Sequence, residues 1–261
     1  MTLATEPTNP QDPGTAGGAI SIQNVTKRYN PDDTELALDG VSVEVKSGEF
    51  VSIVGRSGCG KTTLLRMVAG FHMPTTGEVL VENAPVTGPG PDRGMVFQSA
   101  ALFPWLSARK NVTFGPRVQH VSAAEANAHA DELLELVGIT QAAERYPHEL
   151  SGGMAQRVAI ARALATDPSM LLMDEPFGAL DELTREAMQE ELLRIWKASN
   201  KTVLFVTHSI AEAIYLSDRV IVMTPHPGQV RADITIDLER PRERTSREFA
   251  EIEREIHHAI F

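Results

Sequence analysis

The run GRSGCGKT, Gly55 to Thr62, constrains this chain more than any other stretch. It matches the G-x-x-x-x-G-K-[ST] pattern in full. It follows a short apolar segment, Glu49 to Val54 (EFVSIV), that reads as a strand, and it opens Lys61 to Ala69 (KTTLLRMVA), which reads as a helix with Leu64, Leu65 and Val68 turned to a core. Glycines at 55, 58 and 60 let the backbone curl until successive N–H groups point at phosphate oxygens, and the helix amino end adds partial positive charge. Arg56, Ser57, Cys59 and Thr63 complete the cradle, Lys61 is expected to reach the β- and γ-phosphates, and Thr62 to offer a hydroxyl to Mg2+. The bland alternative is a glycine-rich turn after a strand, but strand, loop and helix agree against it.

A phosphate loop needs a metal-holding carboxylate at the end of a neighbouring strand, and Ser169 to Glu175 (SMLLMDE) supplies one. Met170 to Met173 form an apolar run suited to a strand buried on both faces, with Asp174 at its carboxyl end, where open parallel sheets bind ligands. Asp174 is expected to hold the magnesium through water, and Glu175 to orient and deprotonate the attacking water as general base. Taken alone, the two carboxylates equally well cap a helix. Their company decides. Thr202 to Val206 (TVLFV) is another apolar strand, ending in Thr207, His208 and Ser209. Of eight histidines, His208 alone has this placement, where it faces the same crevice and can donate a hydrogen bond to the γ-phosphate.

A second phosphate-binding candidate lies far downstream. Leu150 to Gly153 (LSGG) reads as a helix amino terminus, with Ser151 as cap and Gly152 and Gly153 leaving room for a phosphate. Two half-sites for one nucleotide point to a protein that closes on ATP as a dimer.

Together these residues resemble the ATP-binding subunits of ABC transporters, from about Ile20 to the carboxyl end. The resemblance implies an α/β fold: a P-loop NTPase core, RecA-like with a mainly parallel sheet, an antiparallel β subdomain, and an α-helical signature subdomain inserted at about 99–165. An ABC ATPase domain spanning 19–261 then ends in a strand and helix extension at about 219–261. The resemblance also assigns roles. Tyr29, at the end of an expected strand Ile20 to Tyr29, matches the aromatic residue that stacks on adenine; an ordinary edge-strand tyrosine is the alternative. Gln98, after the expected strand Gly94 to Phe97, matches the glutamine that touches Mg2+ and the attacking water and links the site to the membrane partner. Leu150 to Arg157 (LSGGMAQR) resembles the family signature, with Met154 where glutamine is usual, a departure that leaves the backbone anion site intact. Phe177 to Asp181 (FGALD) resembles the loop that crosses to the opposite subunit, with Gly178 where serine is more usual and Asp181 in its expected place. In this family ATP on one subunit's phosphate loop is covered in trans by the other subunit's signature, here Ser151, Gly152 and Gly153, together with Asp181 of its crossing loop, and the two-fold axis makes two equal sites.

Composition fits a cytosolic engine. The chain of 261 residues is 42% hydrophobic, enough for a substantial core, and its formal net charge of −11 argues against a nucleic-acid surface and against anionic lipid. No apolar stretch approaches the roughly 20 residues needed to span a bilayer, and no export signal opens the chain. Work at a membrane therefore needs another protein to hold it there. Cys59 is the only cysteine, so no internal disulfide forms. A nucleophilic Cys59 is rejected, since phosphoryl transfer to water needs no covalent cysteine; a bulky thiol reagent there is expected to block nucleotide entry.

Met1 to Gly18, rich in Thr, Pro and Gly, reads as a disordered leader. Ile20 to Gly48 alternates in strands with a turn at Asn30 to Asp33 (NPDD), and Glu78 to Glu82 is another strand. Ser122 to Val137 is expected to be helical, as is Asp181 to Ser199, where Met188, Leu192, Ile195 and Trp196 form a stripe read as core. The last helix is assigned a capping box of Thr245 with Glu248 and an apolar row at Phe249, Ile252, Ile256 and Ile260. Leu102 to Leu106 (LFPWL) has two readings of equal weight: burial of Phe103 and Trp105 within the helical subdomain, or the groove that in the resembling family receives a cytoplasmic helix of the permease.

Gly88 to Gln98, the LFPWL run and Val222 to Arg242 look like the nitrate, sulfonate and taurine branch of importers. The implied protein is an ATPase on the cytoplasmic face of the bacterial inner membrane. It uses ATP and Mg2+ and works with a second copy of itself, integral permease subunits and, through them, a solute-binding protein. Other classes fit less well. A lipid exporter subunit is the nearest competitor. Soluble ABC ATPases of DNA or ribosomes usually carry coiled-coil inserts, paired cassettes or basic surfaces, and a regulator without turnover would lack Glu175 or His208.

Overall fold

The computed structural model describes residues 18–30, 35–178 and 180–261. The expected leader and the Asn30 to Asp33 turn therefore lie outside the described residues, apart from Gly18 and Asn30. Gly18 does not belong to a leader: it is buried, and its N–H donates to the Ser169 carbonyl at 3.1 Å.

The first strands, β1 (Ile20–Lys27) and β2 (Leu38–Val45), carry buried Ile, Leu and Val between more exposed positions, as a half-buried sheet requires. β1 stops at Lys27, so Tyr29 follows the strand instead of ending it. β3 (Phe50–Gly55) is buried throughout and feeds the glycine loop and α1 (Lys61–Val68). β4 (Thr76–Val81), β5 (Ala84–Pro85) and β6 (Arg93–Val96) follow. Three helices come next: α2 (Ala108–Val118), α3 (Ala123–Leu136) and α4 (Gly152–Leu164). The chain then alternates through β7 (Met170–Asp174), α5 (Glu182–Ser199), β8 (Thr202–Val206) and α6 (Ile210–Leu216), and closes with β9 (Arg219–Thr224), β10 (Gln229–Thr235) and α7 (Arg247–Ile260).

Among the described residues, an antiparallel sheet runs in the order β2-β1-β4-β5 and a larger one in the order β10-β9-β3-β8-β7-β6. In the larger sheet β9, β3, β8, β7 and β6 are parallel and β10 adds antiparallel at the edge. Because β8 lies between β3 and β7, the carboxyl ends of these three strands are neighbours. That order brings Gly55, Val206 and Asp174 to one rim although they are far apart in the chain.

The two faces of the larger sheet enter different cores. Val51, Ile53, Leu172, Leu204 and Ile221 pack with α1 and the antiparallel sheet. Phe50, Val54, Leu171, Met173, Phe205 and Val222 pack with the helices. Strands buried on both sides must be apolar without interruption, which is why β7 and β8 read as continuous runs. α5 is capped by Asp181 and buries Met188, Leu192 and Ile195, with Trp196 partly buried on the same core, as its stripe foretold.

α7 differs from expectation at its start. Ser246 is the cap, accepting the Phe249 N–H at 3.2 Å, while the Thr245 hydroxyl donates to Glu243 Oε1 at 2.9 Å. With the Thr245 hydroxyl turned to Glu243, Ser246, an equally good capping residue one position on, takes the Phe249 N–H, and the helix buries Phe249 and Ile256. Trp105 is 70% exposed, so burial does not account for it. Its loop is nonetheless firmly held: the buried Asn111 amide accepts the Phe103 N–H and donates to the carbonyls of Phe103, Leu106 and Ser107.

The segment after β10 is tied down by two arginines. Arg240 pairs with Asp218 at 2.6 Å and donates to the Leu216 carbonyl. Arg242, almost fully buried, donates to four carbonyls, those of Leu238, Ile214, Ser217 and Ile236. Burial, reinforced by the charge of Arg240, pushes its guanidinium down to about 10, so it stays charged at neutral pH. Replacing Arg242 by Met keeps much of its volume but strips those carbonyls of a charged donor. We expect Arg242→Met to lower the unfolding free energy by about 3 kcal/mol or more, read by urea titration; a loss below about 1 kcal/mol would contradict this account.

Candidate functional site

The loop after β3 owes its shape to close backbone contacts. At Gly55 (φ +155°) a Cβ would lie 2.4 Å from the Met223 carbonyl oxygen, and at Gly60 (φ +90°) 2.4 Å from Leu38 Cδ2, so both need glycine. Gly60 precedes α1 without any side-chain cap, and no acidic residue sits in the first turn. The helix thus presents its first N–H groups and its positive end to the loop. Lys61 is buried against the loop, its Nζ donating to the Gly55 carbonyl at 2.8 Å and the Arg56 carbonyl at 3.4 Å. Cys59 is fully buried, and burial pushes its thiol up against the opposing charge of Lys61. Burial thus disfavours the thiolate and shields the sulfur, so the expected block by thiol reagents requires the loop to open first.

A crevice of about 480 Å³ runs from Tyr29 and Ala37 along Ser57 to Thr63 and ends at Glu175 and His208. At its outer end Tyr29 is half exposed, its hydroxyl 2.9 Å from Thr63 Oγ1 and its ring edge-on to His72. At the inner end Thr62 donates to Asp174 Oδ1 at 2.9 Å. Burial raises the Asp174 carboxyl above its usual range, against the Thr62 hydrogen bond and the charges of Arg66 and Lys61. Gln98 and Arg66 share a neighbouring cavity of about 530 Å³ with Asp174. A Cβ on Gly178 would sit 3.6 Å from Gln98 Nε2 and 3.9 Å from Glu175 Oε2, so Gln98, Glu175 and Gly178 converge.

The hydroxyl of Thr62, the carboxylate of Asp174 and the amide of Gln98 are hard oxygen donors, too few for an all-protein cage. That set fits Mg2+, which keeps waters and shares phosphate oxygens with its substrate. Glu175 occupies the left-handed region (φ +45°), and its N–H donates to the Val206 carbonyl at 2.9 Å. This bend aims its Oε2 at His208 Nδ1, 3.0 Å away. His208 therefore meets the candidate base through Nδ1, which leaves Nε2 for a phosphate oxygen.

Ser151, Gly152 and Asp181 are exposed and lie outside both cavities. Ser151 caps α4, accepting the Met154 N–H at 3.3 Å, and Met154 packs its side chain on the helical core. Gly153 abuts α5, where a Cβ would meet Thr184 Cγ2 at 2.9 Å. Asp181 accepts the Thr184 N–H at 3.0 Å, and the hydrogen bonds from Thr184 hold its carboxyl below the usual range. Within one chain the structure thus brings Tyr29, the phosphate loop, Gln98, Asp174, Glu175 and His208 together and sets the signature apart. Sequence reasoning missed Ala37 and Arg66, which line the cavities without any motif to mark them.

A family profile described as ABC transporter matches residues 38–178. The taurine import ATP-binding protein TauB of Jannaschia sp. is 47% identical over 246 residues, covering 91% of this chain and 92% of that protein. The nitrate import ATP-binding protein NrtD of Synechococcus elongatus is 48% identical over 231 residues, covering 87% and 84%. Among solved structures, a dimeric ATP-binding cassette in a post-hydrolysis state bound to ADP and Pi is 35% identical, with a TM-score of 0.74 over 84% of this chain and all of that one. Another, cbiO1 of Clostridium perfringens, part of an ABC transporter complex, is 28% identical with a TM-score of 0.77, covering 92% and 97%. This chain belongs to the ABC transporter family, as an ATP-hydrolysing subunit similar to the taurine and nitrate import ATP-binding proteins.

Proposed function

We propose that the chain energises an importer of a small solute such as nitrate, a sulfonate or taurine, by closing as a dimer on ATP while docked to a membrane permease. The observation that carries the catalytic part is the Glu175–His208 contact of 3.0 Å beside an uncapped phosphate loop. The taurine and nitrate importer ATPases among its relatives support the solute class. Among the described residues no helix is long and apolar enough to cross a membrane, so a permease would hold the chain at the cytoplasmic face of the inner membrane and link it to a solute-binding protein.

In this reading Tyr29 stacks on adenine, the N–H groups of the loop from Gly55 to Thr63 bind the phosphates, and Lys61 leaves its carbonyl partners for the γ-phosphate. Thr62, Gln98 and, through water, Asp174 hold Mg2+, which neutralises developing phosphate charge when bound. Glu175 takes the proton of the attacking water, and His208 steadies Glu175 and a γ-phosphate oxygen. Ser151, Gly152, Gly153 and Asp181 of a second copy complete each site, so nucleotide becomes part of the interface and hydrolysis releases it. The exposed Trp105 and its tethered loop suit the permease contact.

Lys61→Ala is expected to abolish productive MgATP binding, measured by nucleotide fluorescence titration; near-normal turnover would refute its role. Glu175→Gln should slow hydrolysis by about 10² to 10⁴ while still letting ATP close the dimer. Size-exclusion runs of that variant with and without MgATP check the second half, and a chain that stays monomeric with ATP counts against closure. Trp105→Ala should weaken co-purification with the permease and spare ATPase activity; unchanged co-purification contradicts the docking role.

A further inference from the structure

Two turns flank Glu175. One carries His208 at the end of β8, and the other leads from Glu175 into α5. Both are tied to Glu212, a carboxylate outside the phosphate and metal contacts described above. Glu212 sits in the first turn of α6 and is only 7% exposed. A glutamate at the third position of a helix ordinarily reaches back to the N–H of the capping residue. Here the Thr207 hydroxyl stands between them. The Ser209 N–H donates to Thr207 Oγ1 at 3.0 Å, and Thr207 Oγ1 donates to Glu212 Oε2 at 2.6 Å. Ser209 Oγ in turn accepts the Glu212 N–H at 3.3 Å. His208 lies inside this ring, so its backbone cannot swing without breaking one of these bonds.

The other carboxylate oxygen faces α5. Glu212 Oε1 lies 3.5 Å from Arg185 Nε, and Arg185 Nη2 donates to the Leu180 carbonyl at 2.8 Å. The Arg185 N–H also donates to the Asp181 carbonyl at 2.9 Å. One buried carboxylate therefore spans from the His208 turn to the Leu180–Asp181 turn. An ion pair with one buried partner is a poor source of net stability, because desolvation offsets its attraction, yet it enforces a geometry.

We propose that Glu212 is a positioning residue for ATP hydrolysis, its carboxylate holding the His208 turn in register with Glu175 while Arg185 anchors its other oxygen to α5. This rests on the assignment of Glu175 and His208 made above. The test is steady-state ATPase kinetics of the full chain as wild type, His208→Ala, Glu212→Leu, Glu212→Gln, Thr207→Val and the double variant His208→Ala with Glu212→Leu. Glu212→Leu and Thr207→Val are each expected to lower kcat about tenfold with KM for ATP within about twofold, the pattern of a group acting on the chemical step. Glu212→Gln keeps an acceptor for Thr207 and recovers most of the loss. In the double variant the Glu212 change adds nothing to His208→Ala, because the group it positions is gone. A merely structural role predicts losses that multiply in the double variant and no kcat-against-KM split. If His208→Ala turns over normally, the site assignment and this proposal both fall. If His208→Ala is impaired while Thr207→Val and Glu212→Leu keep wild-type kcat, or the losses multiply, the positioning role falls and the site stands.

Discussion

The pairing of β7 with β8, which sets Asp174 opposite Val206, is the contact on which the rest of the site depends. The ladder continues one step past the strand, where the Glu175 N–H meets the Val206 carbonyl, and Glu175 then bends into left-handed backbone. A non-glycine residue held there costs on the order of 1–3 kcal/mol, a strain the two flanking strands, each buried on both faces, are able to impose. The consequence is functional. Asp174 turns to Thr62 on the phosphate side, and Glu175 turns to His208. A slip of one residue between these strands would exchange the faces of the two carboxylates and take the site apart.

The same sheet explains why the signature lies apart from the other candidate site residues. Strand order gathers the phosphate loop, the acidic pair and His208 at one rim, while the signature caps α4 and lines neither cavity. Its exposed Ser151 and Gly152 leave a helix amino end bare at the surface, where an anion is favoured. In a single chain that end has no nucleotide to meet. In the proposed dimer a second copy would supply one, and affinity between copies would then depend on nucleotide.

The parts of the molecule legible in the sequence were those written in contiguous residues. The phosphate loop carried its own strand and helix, and β7 and β8 showed as uninterrupted apolar runs because both of their faces are buried. The helix over Ser122 to Val137 and the stripe of α5 followed from spacing. What escaped was decided by distant partners or by near ties. Ser246 caps α7 while Thr245 turns its hydroxyl to Glu243, and Gly18 is held by Ser169, far along the chain. Arg242, Arg185 and Glu212 leave no periodic trace, since each earns its place from carbonyls and side chains on other elements. Trp105 had two readings that composition did not separate, and its exposure removes burial as an account of it.

The claim that ATP is held between two copies is tested most directly by an atomic structure of the Glu175→Gln chain with MgATP bound. The account predicts a two-fold pair in which each triphosphate lies on Ser57 to Thr62 of one copy and against Ser151 to Gly153 of the other. A loaded structure in which the signature faces solvent, remote from any phosphate, would contradict it.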